Sequence, residues 1–124
     1  MATADDPPPN LDALTAFACE LADSAGAIVR DHFRAPGPVT TKSDGSPVTE
    51  ADHMVESAMR DAIQRAFPDH GILGEEFGKT APNSEYVWVL DPIDGTRSFI
   101  SGKPVFATLI GLSFRGKPVL GVID

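Results

Sequence analysis

The apolar residues of this chain change period once, and that change limits the folds open to it. From Leu11 to Ala66 they recur at steps of three and four; from Gly71 to Ile123 they come in short runs, rich in β-branched and aromatic residues and broken by Gly, Pro and Asp. Such a chain folds as helices first and strands afterwards. The expected class is α+β, with two amino-terminal helices packed on a largely antiparallel sheet. Its 124 residues suffice for one domain with a core, not for two.

In the first helix, Leu11, Leu14, Phe17, Ala18, Leu21, Ala25, Ile28, Val29 and Phe33 share one side. Asn10 is placed to cap it, and Pro36, Gly37 and Pro38 end it. Residues 1–9 are expected to be a disordered tail, and 10–124 the folded domain. A polar segment, Thr40 to Pro47, follows. Thr49 with Asp52 three residues on resembles a capping box with Asp in place of Glu. It opens a second helix through Val55, Ala58, Met59, Ala62, Ile63 and Ala66, stopped by Pro68. Strands are expected at Gly71–Gly74, Tyr86–Leu90 and Phe106–Phe114, the last joined by a turn at Arg115–Pro118 to a partner at Val119–Ile123.

The formal charge of −8 argues against a general nucleic-acid binder, which needs a basic stripe. It suits a protein that gathers carboxylates around cations, and equally one with an acidic, well-solvated surface. No apolar run reaches the roughly 20 residues of a membrane span. The acidic, proline-rich start lacks the pattern of a secretory signal, so a cytoplasmic location is expected. The single cysteine, Cys19, permits no internal disulfide and is expected to be a buried structural thiol.

Chemistry concentrates in three acidic groups at element boundaries. Asp91-Pro92-Ile93-Asp94-Gly95-Thr96 follows the apolar strand Val87–Leu90, so its acids are delivered at a strand end. Two carboxylates around a turn shaped by Pro92 and Gly95 can converge, and hard cations such as Mg²⁺ take carboxylate and carbonyl oxygens. The spacing does not fit an EF-hand loop. It is Asp-x-x-Asp rather than the Asp-x-Asp of aspartyl-nucleophile phosphatases, which favours a metal-activated water as nucleophile. Taken alone, the hexapeptide leaves a metal site and a pair of capped turns equally open. Gly74-Glu75-Glu76 and the segment Lys42 to Asp52, with Asp44, Thr49 and Asp52, each read in isolation as solvated acids or a helix cap. His32, His53 and His70 fall away from these groups and read as surface or boundary residues. Trp88 reads as a packed residue, and Arg97 and Lys103 as substrate contacts or surface charge.

Together, Lys42-Ser43-Asp44-Gly45-Ser46-Pro47-Val48-Thr49-Glu50-Ala51-Asp52, Gly74-Glu75-Glu76 and Trp88-Val89-Leu90-Asp91-Pro92-Ile93-Asp94-Gly95-Thr96 resemble, in order and spacing, the inositol monophosphatase superfamily. The stretch Arg97 to Pro104 is most similar to the histidinol-phosphate phosphatase branch. The resemblance implies the first half of an αβαβα sugar-phosphatase fold and Mg²⁺-dependent hydrolysis of a small phosphate ester. Histidinol phosphate, in histidine biosynthesis, is the first expectation; inositol monophosphate or a sugar or nucleotide phosphate is the alternative.

It further implies two or three Mg²⁺ ions. Glu75, Asp91 and the Ile93 carbonyl would hold the first, and Asp91 and Asp94 would share the second. Asp52 and Thr96 would position and help deprotonate the attacking water. The N–H groups of Gly95 and Thr96 would hold the phosphate. Glu76 would support the ligands or add a contact, and Lys42 and Asp44 would lie in a loop covering the site, near a third, weaker metal. A homodimer acting on a small phosphorylated metabolite, with no nucleic acid and no membrane, is expected. Family members are longer, so the sequence reads as an amino-terminal half that lacks one metal-binding aspartate and most of the substrate pocket. That leaves a second class open: a catalytically incomplete, cation-binding fragment that associates with itself. The third possibility is a stable fold with acidic turns.

Overall fold

The computed structural model describes residues 8–35, 37–45 and 47–124. Helix α1 spans Leu11–His32 and α2 spans Glu50–Ala66; between them Val39–Thr41 (β1) and Pro47–Thr49 (β2) form an antiparallel hairpin. Then come Gly71–Gly74 (β3), Gly78–Thr80 (β4), Tyr86–Asp94 (β5), the short helix Thr96–Ile100 (α3), Ala107–Phe114 (β6) and Lys117–Ile123 (β7). The larger sheet has the order β4-β3-β5-β6-β7; β3 and β5 are parallel and the other neighbours antiparallel.

The helices cover one face of this sheet. Trp88, Leu90, Ile110 and Leu112 point from the central strands into a core shared with Leu14, Leu21, Val55, Met59 and Ile63. Each such side chain contributes about 1.5–3 kcal/mol by leaving water. Small residues at the buried positions Ala18, Ala22 and Ala25 let α1 lie close against its neighbours. Where α2 meets the sheet, the ring of His70 stacks between Phe67 and Tyr86, each 4.5 Å away between centroids. The buried Trp88 Nε1–H donates to His70 Nδ1 at 3.0 Å, so that nitrogen is the acceptor and carries no proton.

The opposite face is open. Val89, Gly111 and Gly121 stand in register across β5, β6 and β7, so two glycines leave a shallow apolar furrow beside Val89 and the exposed Ile123. Among the described residues, no helix is long and apolar enough to cross a membrane.

The sequence expectations need correcting in several places. The polar segment contains the β1–β2 hairpin, and β4 was not expected at all. Asn10 occupies the N-cap of α1 in a left-handed conformation (φ 64°), and its side chain makes no capping bond; its carbonyl accepts from Leu14 N–H at 3.0 Å. Helix α1 stops at His32, with Phe33 extended. Cys19 is exposed, because it lies about 100° around the helix from the buried Ala18. The expected tail lies outside the described residues up to residue 7, and Pro8 is buried.

Candidate metal and phosphate site

The site grows from the carboxyl ends of two parallel strands. The register Gly74↔Leu90 aligns β3 with β5, and Glu75 N–H continues the ladder to the Leu90 carbonyl at 3.2 Å. Glu75 therefore emerges beside Asp91. The acids of β5 do not follow the strand, as the sequence suggested, but sit within it. Asp91 pairs with Leu109 and Asp94 with Ala107, so β5 carries one more residue than β6 between these pairs. Residues three apart on a regular strand face opposite sides; the bulge cancels that and turns both carboxylates to one side. Pro92 has no N–H to lose there, and its carbonyl accepts from Thr108 Oγ1 at 2.8 Å.

Gly95 then turns the chain into α3 with φ 89°. A Cβ on Gly95 would stand 2.8 Å from the Val105 carbonyl, so both conformation and space require glycine. The result is a cleft of about 290 Å³ lined by Lys42, Glu75, Glu76, Asp91, Ile93, Asp94, Gly95, Thr96 and Arg97.

Asp52 lies behind this cleft in the first turn of α2. Its Oδ2 accepts from Thr49 N–H at 2.8 Å and Thr49 Oγ1 at 2.6 Å, completing the expected capping box. Its Oδ1 faces Thr96 Oγ1 at 3.1 Å, and the same hydroxyl lies 3.0 Å from the Ile93 carbonyl. The cap and the site are thus one carboxylate.

Negative charge is crowded here. Burial, and then the carboxylates of Glu75, Asp94, Glu76 and Asp52, raise Asp91 to a pKa of about 6. Burial also raises the Glu76 pKa, against the opposing pull of Lys42, whose Nζ donates to Glu76 Oε1 at 2.9 Å. Burial works against the Lys42 ammonium too, but Glu76, Glu75 and Asp52 outweigh it and leave its pKa above the usual value.

Among the described residues, no three His, Cys, Asp or Glu side chains are spaced to close on a metal by themselves. The donor set nevertheless suits a hard cation. It consists of carboxylate oxygens and the Ile93 carbonyl, without Cys or His, and its mutual repulsion is what a divalent ion relieves. Mg²⁺ commonly completes such a set with waters and phosphate oxygens.

Most residues singled out in the sequence meet at the cleft. Asp44 is exposed and does not line it, nor does Lys103. His53 corrects the expectation that the histidines stand apart: its Nε2 is 3.9 Å from Glu76 Oε2, and its ring packs against Phe77 at 5.3 Å. Sequence reasoning missed Glu56, which is fully buried behind the Glu75–Glu76 loop.

The sequence profile of the inositol monophosphatase family matches residues 10–124. The chain is 52% identical over 116 residues to the bifunctional phosphatase IMPL2, chloroplastic, of Arabidopsis thaliana, covering 92% of this chain and 34% of that protein. It is 45% identical over 109 residues to the histidinol-phosphatase of Mycobacterium tuberculosis, covering 87% and 42%. A solved inositol monophosphatase from Zymomonas mobilis superposes with a TM-score of 0.77 at 45% identity, covering 94% of this chain and 45% of that one. The chain therefore spans less than half the length of these relatives.

Proposed function

The chain belongs to the inositol monophosphatase family, and from that premise we propose that it supplies the cation- and phosphate-binding half of a Mg²⁺-dependent phosphomonoesterase. The observation that carries this reading is the convergence of Glu75, Asp91, Ile93, Asp94, Gly95 and Thr96 on one cleft, with Asp52 bonded to Thr96 beneath it. Glu75, Asp91, Asp94 and the Ile93 carbonyl would hold Mg²⁺, which when bound acidifies water and neutralises charge on a phosphoryl group.

The rest falls to the chain's own groups. Phosphate-monoester hydrolysis is among the slowest uncatalysed reactions, so the nucleophile must be both oriented and deprotonated. Thr96 Oγ1 donates toward Asp52 or the Ile93 carbonyl, which leaves its lone pairs facing the cleft to accept from a water. A proton taken from that water at Thr96 Oγ1 passes on to Asp52 Oδ1. The N–H groups at the start of α3, with no carbonyl partner inside the helix, are suited to phosphate oxygens, and the Arg97 side chain at the cleft adds positive charge.

For the ester we favour histidinol phosphate. The support is the similarity to histidinol-phosphatases and the character of Arg97–Pro104. Inositol monophosphate is the alternative, favoured by the likeness to solved inositol monophosphatases. Phosphate release from both esters and from an aryl phosphate, with and without Mg²⁺, tests the reading. Mg²⁺-dependent release that Asp94→Asn abolishes supports it, and the preferred ester identifies the branch. No release, either from this chain or from a longer chain that contains it, sinks it.

The apolar furrow beside Val89 supports a second reading, a cation-binding unit that pairs with a second copy through its open sheet face. Sedimentation distinguishes them: a monomer at all concentrations removes this reading.

A further inference from the structure

Glu56 has no part in the chemistry above, yet it is a fully buried carboxylate. Its Oε1 accepts from Glu76 N–H at 2.8 Å; its Oε2 accepts from Phe77 N–H at 2.8 Å and from Arg60 Nε at 3.0 Å. The Arg60 guanidinium reaches on to Thr80 Oγ1 at 3.0 Å and to the Gly78 carbonyl. One helical turn thus grips the β3–β4 connection at both ends.

Space has been left for this grip. A Cβ on Gly74 would lie 2.5 Å from Glu56 Cδ and 2.6 Å from Oε1, so the residue before Glu75 must be glycine for the carboxylate to fit. Glu56 also follows Asp52 by one turn of α2, on the same face. Asp52 bonds Thr96, on the β5–α3 side of the cleft; Glu56 bonds the loop that carries Glu75 and Glu76. A single helix face therefore spans the two walls.

We propose that Glu56 is a positioning residue. Through its bonds to the Glu76 and Phe77 amides, and with Arg60 as its partner, it fixes the Glu75–Glu76 wall of the cleft relative to Asp91, Asp94 and Thr96. The proposal rests on the cation-site reading for what the positioning serves, and on the hydrogen bonds alone for the positioning itself. Backbone N–H groups need an acceptor, and a Gln side chain offers one oxygen where Glu offers two. Glu56→Gln therefore keeps the shape and removes one of the two amide bonds.

The test compares the parent with Glu56→Gln, Arg60→Lys and a core control on the same helix, Ile63→Val, by amide hydrogen exchange and by Mg²⁺ titration calorimetry. In Glu56→Gln, exchange at whichever of the Glu76 and Phe77 amides loses its acceptor should accelerate about tenfold or more while the Trp88 and Leu112 amides keep their protection. Mg²⁺ affinity should fall by roughly tenfold or more, as when an outer partner of a metal ligand is lost. Arg60→Lys should loosen the same two amides, and Ile63→Val should change neither them selectively nor the Mg²⁺ affinity. Parental exchange at Glu76 and Phe77 in a folded Glu56→Gln overturns the proposal. If that variant does not fold, parental exchange in Arg60→Lys does so. A parent chain that takes up no Mg²⁺ removes the cation reading instead, and the exchange data then decide the positioning claim by themselves.

Discussion

Thr96 Oγ1 lies 3.1 Å from Asp52 Oδ1, across 44 residues of chain, while the other oxygen of that carboxylate caps helix α2. A helix cap and a candidate proton acceptor are thereby one group, and the α2 amino terminus is tied to the start of α3. Asp52→Ala should cost about 1–3 kcal/mol, from the lost capping box and the unsatisfied partners around a buried site. In a double-mutant cycle with Thr96→Val, measured by urea denaturation, a coupling of about 0.5–1.5 kcal/mol is expected. Strict additivity would mean the bond contributes nothing.

Gly95→Ala places a side chain at φ 89° and against the Val105 carbonyl. The left-handed conformation alone costs about 1–2 kcal/mol, and the contact adds to it. Thermal denaturation of Gly95→Ala should show at least that loss. A parental midpoint would mean the β5–α3 turn relaxes freely, and that the cleft geometry is not fixed by it.

His70 should make stability depend on pH. Burial lowers its pKa, outweighing the raising effect of Asp69, and Nδ1 already accepts the Trp88 indole proton. The unfolded state therefore binds the proton more readily than the folded state. The contribution is full above the ordinary histidine value of about 6.5 and is lost as pH falls through and below it. Urea midpoints followed by Trp88 fluorescence between pH 8 and 5 should lose more, or gain less, toward the acid side in the parent than in His70→Phe. Equal slopes would remove this residue as the cause.

Asp91 acts in the opposite sense. Its pKa of about 6 lies above the unfolded value, so the folded state binds the extra proton, and this group's contribution to Mg²⁺-free stability should rise as pH falls from about 7 toward 4. Asp91→Asn should remove that contribution and, at pH 7 without Mg²⁺, melt no lower than the parent. A large loss in the variant would show that the carboxylate is held by favourable contacts rather than crowded by Glu75 and Asp94.

The period of the apolar residues made α1, α2 and the central strands legible, because burying a helix stripe or a strand face leaves a regular trace. Strands β1 and β4 left none: Val39–Thr41 and Gly78–Thr80 are exposed throughout, so no alternation marks them. The capping box was legible because both of its partners lie within four residues. Its link to Thr96 was not a local pattern and entered only through a family resemblance. Glu56 was illegible for a stronger reason. With Arg60 four residues on, it reads as an ordinary surface ion pair, and only the passage of the backbone at Gly74 buries it. The bulge that aligns Asp91 with Asp94 depends on the partner strand β6, which the hexapeptide does not contain.

On the proposed function, the acidic cleft of the folded chain holds a divalent cation. The most direct test is thermal denaturation at pH 7.5 over a range of Mg²⁺ concentrations, with Asp94→Asn alongside. Binding confined to the native state must stabilise it, by about 2.7 kcal/mol when the free ion reaches 100 times its Kd. A midpoint that climbs with Mg²⁺ in the parent and stays level in a folded Asp94→Asn is the result predicted. A parent midpoint indifferent to Mg²⁺ would contradict the claim and leave the three acidic groups as solvated turns and a helix cap.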